Sequence, residues 1–275
     1  MKSPITWYGG KYYMAKHIIE LLPKHDCYVE AYGGAGSVLF AKNPSKVEFL
    51  NDIHKDLYNM FNIIKDNSMC SEFERRVNLM LYSKNCYDYA LEYLKQDTTV
   101  TDAVERAVCF YYLARVSFSG IIGGSFAYST IKNKSMAYYR AIERLQEVHE
   151  RLKNVQIMNL EALDLIKRTD TKDTCFYLDP PYIHETREKA SVKPYNHEMD
   201  NEQHQELVDT LKSINGSCVL SGYATNMYDE LLDYGYLRYG FEVHCVSANA
   251  KRCNSKRKPR TEILWVKDNN KGLLL

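Results

Sequence analysis

The sequence lacks net charge: thirty-six Lys and Arg stand against thirty-five Asp and Glu, a formal +1. A chain so balanced has no global attraction for a polyanion, so any nucleic-acid surface must be local. It also lacks a long apolar run. The longest, Ala107 to Ala114, is eight residues between Arg106 and Arg115, far below the roughly 20 that a membrane-spanning helix needs, and no membrane is expected. The start, Met1-Lys2-Ser3-Pro4-Ile5-Thr6-Trp7, has no apolar core of the export-signal kind, so a cytoplasmic location is the expectation. Eight cysteines form no C-x-x-C pair and no zinc-like spacing with His. They are expected to be reduced thiols, and no metal site is predicted.

With 275 residues, 45% hydrophobic and 26% charged, the composition is that of an ordinary globular chain. The length fits one large domain or one domain with an insertion. There are 23 tyrosines, but tyrosines in a core with a polar tip account for most of such an excess.

Residues 28 to 57 read as strand, turn, helix, strand: Tyr28 to Tyr32, then Gly33-Gly34-Ala35-Gly36, then Ser37 to Lys42, then Val47 to Asp52. That is the opening of an α/β unit with a parallel sheet. From about Leu57 to Leu152 the periodicity turns helical, as in Phe73, Val77, Met80 and Leu81. Within it, Ser117 to Phe126 is rich in small residues and predicts a loop or hairpin. Strand and helix then alternate again: strands at 155–158, 175–178, 218–221, 241–246 and 261–266, and helices at 162–167, 202–214 and 226–232. Asp200 or Asn201 can cap the second of these helices.

Two constellations carry chemistry. The glycine turn lies between a strand and a helix, where absent side chains let backbone approach a ligand. Asp52 ends the next strand, where a carboxylate can accept hydrogen bonds from ribose hydroxyls, so the pair suggests an adenosine-containing cofactor. The turn is not G-x-G-x-x-G, which disfavours a pyrophosphate. The second is Cys175-Phe176-Tyr177-Leu178-Asp179-Pro180-Pro181-Tyr182. Four apolar residues make a buried strand, and two prolines hold Asp179 extended at its carboxyl end. An exocyclic aromatic amine is a poor nucleophile until its hydrogens are accepted, which Asp179 and the Pro180 carbonyl can do. Tyr182 supplies a face on which an extruded base can stack.

These residues, with Thr6-Trp7-Tyr8-Gly9-Gly10-Lys11, Val29 to Ser37, Asn51-Asp52, Asn159-Leu160-Glu161-Ala162, Ser221-Gly222-Tyr223 and Arg260 to Trp265, occur in an order that resembles the Dam-like family of DNA adenine-N6 methyltransferases. The resemblance runs almost end to end. It implies an α/β fold, a Rossmann-like methyltransferase sheet of seven strands with a mainly helical target-recognition insertion. It divides the chain into a catalytic domain, residues 1–56 and 149–275, and a recognition domain, 57–148. It implies S-adenosyl-L-methionine as cofactor, with Trp7, Lys11, Glu30, Gly33 and Gly36 in the cofactor site, Asp52 on the ribose and Glu161 with Ala162 on the adenine. Asp179 would lie between donor and target amine. Glu161 departs from the Asp common at that position, and no metal is required by this chemistry.

Two stretches suit double-stranded DNA. Lys251 to Arg260 holds six basic residues and no acid, with Lys256, Arg257 and Lys258 at its centre, and suits phosphates. The other carries Arg115, Tyr128, Lys132, Asn133 and Lys134, which a hairpin could present to base edges. Tyr195 and His197 either help position the flipped base or face solvent, and Tyr223 either lines the site or closes a turn. Site-specific adenine-N6 methylation of DNA is the function expected. Its rivals are cytosine-N4 methylation by the same logic, against which Asp179 counts, and a catalytically silent DNA-binding regulator, against which the intact Asp179, Pro180, Pro181 and Tyr182 count. A cognate restriction endonuclease is a candidate partner, and the oligomeric state is left open. Thr6 stands where GATC-reading relatives have Lys, so a target other than GATC is expected.

Overall fold

A computed structural model describes residues 1–99, 101–183, 198–243 and 260–269. The expected tyrosine and histidine at 195 and 197, and the basic Lys256, Arg257 and Lys258, lie outside these residues. Seven strands form one sheet in the order β3-β2-β1-β4-β5-β7-β6. They are β1 (Cys27–Glu30), β2 (Val47–Asn51), β3 (Val155–Met158), β4 (Thr174–Leu178), β5 (Ser217–Gly222), β6 (Leu237–Val243) and β7 (Arg260–Lys267). β2 with β3, β1 with β4 and β4 with β5 pair in parallel; β7 runs antiparallel to β5 and to β6. This is the mixed, mostly parallel sheet expected of a Rossmann-like methyltransferase.

The first helix is α1 (Ala15–Leu21), and the chain divides into two compact units. The first comprises Met1–Ala15, Gly33–Pro44 and Glu48–Leu160. It holds α2 (Ser37–Ala41) and the helical stretch that the periodicity predicts: α3 (Lys55–Lys65), α4 (Asn67–Leu79), α5 (Lys84–Lys95), α6 (Ala103–Val116), α7 (Lys134–Ile142) and α8 (Leu145–Leu152). The longest apolar run proves to be the core of α6, buried from Ala107 through Ala114 because α3, α4 and α5 pack around it. A helix apolar on every side is stable only when enclosed in this way. Side-chain caps start the helices, with Asp66 for α4, Ser83 for α5, Asp102 for α6 and Asn133 for α7. The Ser117 to Phe126 segment is a loop closed by one antiparallel bridge between those two residues.

The second unit comprises Lys16–Tyr32, Ser45–Val47 and Glu161–Leu275. α9 (Ala162–Thr169) and α10 (Asn201–Lys212) lie within it, α10 starting at a capping box of Asp200 and Gln203. Two sequence expectations are corrected here. The helix expected over 226–232 breaks after α11 (Asn226–Asp229) into a 3₁₀ segment, Glu230–Tyr234, ended by Gly235 at φ 85°. β6 begins at Leu237 rather than Phe241: Leu237, Tyr239, Phe241 and Val243 alternate with Arg238, Gly240 and Glu242, and this period of two starts four residues earlier than expected. Among the described residues no helix is long and apolar enough to cross a membrane.

Arg106 fastens the helices of the first unit. Its guanidinium donates to Asp56 Oδ1 on α3 at 2.5 Å and to the Leu94 and Gln96 carbonyls at 3.2 and 3.1 Å. With both charges largely buried, removing one strands the other. Arg106→Met should therefore lower stability by about 3–5 kcal/mol, read as a shifted denaturant midpoint followed by circular dichroism.

Candidate active site

In the first unit the glycine turn, Trp7 and Asp52 form one cluster. Gly33 donates to the Asn51 carbonyl at 2.7 Å, laying the turn directly on the end of β2. A Cβ at Gly33 would meet Leu50 Cδ1 at 2.5 Å and the Asn51 carbonyl at 2.9 Å; one at Gly34, where φ is +48°, would meet the Trp7 ring at 3.0 Å. The glycines at 33 and 34 are thus demanded by the protein's own packing. Gly36, at φ +67°, turns the chain into α2.

Asp52 is tied into the protein's own backbone. Its Oδ2 accepts from the Gly34 N–H at 2.8 Å and its Oδ1 from the His54 N–H at 2.9 Å, so it joins the glycine turn to the start of α3. The Asn51 side chain exchanges two hydrogen bonds with the Leu160 backbone at 2.9 and 3.0 Å, and Asn159 donates to the Asp52 carbonyl at 2.7 Å. The two motif pairs therefore lock the ends of β2 and β3 together. Trp7, half-buried, meets His54 edge-on at 5.8 Å and Phe110 at 6.0 Å. Lys11 is buried, at 3% exposure.

In the second unit, β1 and β4 pair in parallel with Glu30 opposite Tyr177, so their carboxyl ends are neighbours. The strand order departs in opposite directions from this pair, the switch point at which open α/β sheets bind ligands. Glu30, 2% exposed, accepts from the Tyr28 hydroxyl at 2.9 Å. Burial, helped by the charges of Glu161 and Glu206, pushes the Tyr32 phenol upward. Burial likewise raises the Tyr228 phenol, with Tyr32 and Asp179 adding to it. Glu161 is exposed at the head of α9, and Ala162 is its half-buried first residue.

Asp179 leaves β4 half-buried, with Pro180 buried behind it. Ser221, fully buried on β5, donates to Asp179 Oδ1 at 2.8 Å. Tyr182 is half-buried, its ring 4.4 Å from that of Tyr223, and its hydroxyl donates to Glu262 on β7 with both carboxylate oxygens at 3.0 Å. Tyr223 thus lines the tyrosine of the motif rather than only closing a turn. Behind these residues Trp265, fully buried, stands edge-on to Tyr228 at 5.2 Å and donates to Asp229 at 2.9 Å.

Each unit gathers its own residues: Trp7, Gly33, Gly36 and Asp52 in the first, Glu30, Asp179, Pro180 and Tyr182 in the second. Sequence reasoning missed the anchoring parts of Ser221 and Glu262. A carboxylate set into the apolar run Ile263-Leu264-Trp265 is the signal that would have found Glu262.

Of the residues expected to meet DNA, Tyr128, Lys132 and Lys134 are exposed and line an open depression of about 440 Å³ with Tyr82, Ile131 and Asn133. Arg115 is half-buried, and its guanidinium donates to the Ala137 carbonyl on α7 at 3.4 Å. No cluster of three or more metal-binding side chains exists among the described residues.

The family described as D12 class N6 adenine-specific DNA methyltransferase matches residues 7–250. The chain belongs to this family. A protein named DNA adenine methylase from Haemophilus influenzae is 26% identical over 213 residues, covering 76% of this chain and 74% of its own length. One of the same name from Escherichia coli is 30% identical over 183 residues, 65% of this chain and 64% of its own length. A type II methyltransferase from Lactococcus lactis is 27% identical over 282 residues, 95% of this chain and 94% of its own. As a D12 class enzyme, the chain methylates adenine in DNA at specific sites and requires a methyl donor.

For this methyltransferase the turn can be tested apart from catalysis. Gly34→Ala adds a side chain at positive φ and against Trp7, so it should cost about 1–2 kcal/mol of stability, measured by denaturant unfolding.

Proposed function

We propose that this D12 class methyltransferase uses S-adenosyl-L-methionine to methylate N6 of an adenine turned out of double-stranded DNA, with Asp179 as the acceptor that prepares the amine. The observation that carries the proposal is the held carboxylate at the end of β4: Asp179, which precedes two prolines and is bonded by Ser221 at 2.8 Å. Asp179 and the Pro180 carbonyl accept the two amine hydrogens, which draws the nitrogen toward a tetrahedral shape and exposes its lone pair. Asp179 then holds the proton that the methylated amine releases. The Tyr182 face stacks on the extruded base, which offsets the cost of taking it out of the helix.

The donor set fits a cationic nucleoside. Asp52 offers carboxylate oxygens to hydroxyl donors, and the half-buried Trp7 offers an aromatic face. We assign Asp52 to the ribose, Glu161 and Ala162 to the adenine, and Trp7, Lys11, Glu30, Gly33 and Gly36 to the remainder of the cofactor. When bound, the cofactor supplies an electrophilic methyl group on a cationic sulfur. We assign residues 57–148 to target recognition, through Arg115, Tyr128, Lys132 and Lys134, and residues 1–56 and 149–275 to catalysis. Lys256, Arg257 and Lys258 follow DNA phosphates. A restriction endonuclease of the same specificity is the proposed partner, in keeping with the type II methyltransferase among the relatives, and the enzyme works in the cytoplasm beside its DNA.

Nucleosides recovered from treated DNA should contain N6-methyladenine when analysed by mass; N4-methylcytosine, or no modified base, would contradict the proposal. Asp52→Ala should weaken cofactor binding in calorimetry and also lower stability by about 1–3 kcal/mol, because two backbone donors lose their partner. Replacing Lys256, Arg257 and Lys258 together by Gln should weaken all duplexes alike and flatten the slope of log affinity against log salt by about 0.9 per lost contact. A target other than GATC follows from Thr6, and resistance of the modified DNA to a methylation-blocked GATC endonuclease would refute it.

A further inference from the structure

Glu262 is a buried carboxylate to which the methylation chemistry assigns no role. It is 2% exposed, in register with Phe241 of β6 and followed along β7 by buried Ile263, Leu264 and Trp265. A carboxylate in such a setting costs free energy unless hydrogen bonds hold it, and both of its oxygens lie 3.0 Å from the Tyr182 hydroxyl. That bond reaches the one aromatic ring of the Asp179-Pro180-Pro181-Tyr182 segment.

The geometry on each side of Tyr182 limits what this bond can do. A phenol has a single proton, and here it goes to Glu262, so the ring meets a base by its face rather than by its hydroxyl. Two prolines stiffen the backbone before it, which leaves side-chain rotation as the main freedom of the ring. Tyr223 packs against it at 4.4 Å with the planes inclined by 46°, and the anchored hydroxyl fixes the far end. The ring cannot swing about its first side-chain bond without breaking the bond to Glu262.

We propose that Glu262 is a positioning residue of the methyltransferase: through the Tyr182 hydroxyl it sets the plane of the ring on which the extruded adenine stacks, and so the presentation of N6 to Asp179. The inference rests on the reading of Tyr182 given above and adds a requirement to it. Stacking alone needs only the ring, whereas positioning needs the hydroxyl and an acceptor for it.

The test is a single-turnover measurement of labelled methyl transfer from S-adenosyl-L-methionine to duplex DNA prepared from cells without adenine methylases. Donor affinity, DNA affinity and thermal unfolding are recorded for each full-length variant. Tyr182→Phe and Glu262→Leu should each slow transfer by about 10- to 100-fold, the scale of a small misplacement, with donor and DNA affinities unchanged. Glu262→Gln, whose amide oxygen still accepts the phenol proton, should keep most of the rate. The Tyr182→Phe, Glu262→Leu double variant should be no slower than the slower single, since both act through one bond.

Parental activity with a full-rate Tyr182→Phe overturns the inference, and this arm decides the matter should Glu262→Leu fail to fold. So does a Glu262→Leu change that slows the Tyr182→Phe protein by its full factor, for Glu262 would then act elsewhere. A parental protein that transfers no methyl group overturns the underlying reading and this inference together.

Discussion

Enclosure of β4 is the constraint on which the rest depends. Every residue from Thr174 to Leu178 is buried, and the strand is paired in parallel on both edges, to β1 and to β5. A strand shut in on every side cannot slide without exposing its apolar set. The segment that leaves its carboxyl end therefore starts from a fixed point. Two prolines carry that rigidity through Asp179 to Tyr182, and β5 and β7 each contribute one side chain to secure it: Ser221 to Asp179, Glu262 to Tyr182. The segment from Asp179 to Tyr182 is thus held by β4, β5 and β7.

The glycine turn of the first unit follows a different logic. There the glycine turn is pressed onto β2 and under Trp7, and its shape is set by what a side chain would strike. Asp52 serves in two capacities, since the carboxylate proposed to meet the ribose also ties the turn to α3 through two backbone donors. On the proposed ribose role, stability and cofactor affinity are coupled at this residue, and a change in one without the other is not expected on substitution.

Much of this was legible in the sequence, for physical reasons that also mark where legibility ends. A buried parallel strand is a short apolar run, so 175–178 and 218–221 could be read directly, and the apolar run of α6 could be read as too short for a membrane. In β6 the apolar residues Leu237, Tyr239, Phe241 and Val243 alternate rather than run together, and its first four residues were missed. The motif residues Asp179 and Tyr182 announce themselves by chemistry, whereas Ser221 and Glu262 act across the sheet at sequence separations of 42 and 80 residues. No local pattern encodes a partner at that distance. The guanidinium of Arg115 reaches the α7 backbone, which composition alone could not reveal.

The account's central claim is that Asp179 prepares the adenine amine, and the rate of the chemical step in an Asp179→Ala variant tests it most directly. Single-turnover methyl transfer, with donor and duplex DNA both saturating, separates that step from binding. The account predicts a loss of about 100-fold or more, as for removal of a preorganised charge-stabilising group, while donor and DNA still bind. Transfer at the parental rate under those conditions would contradict it.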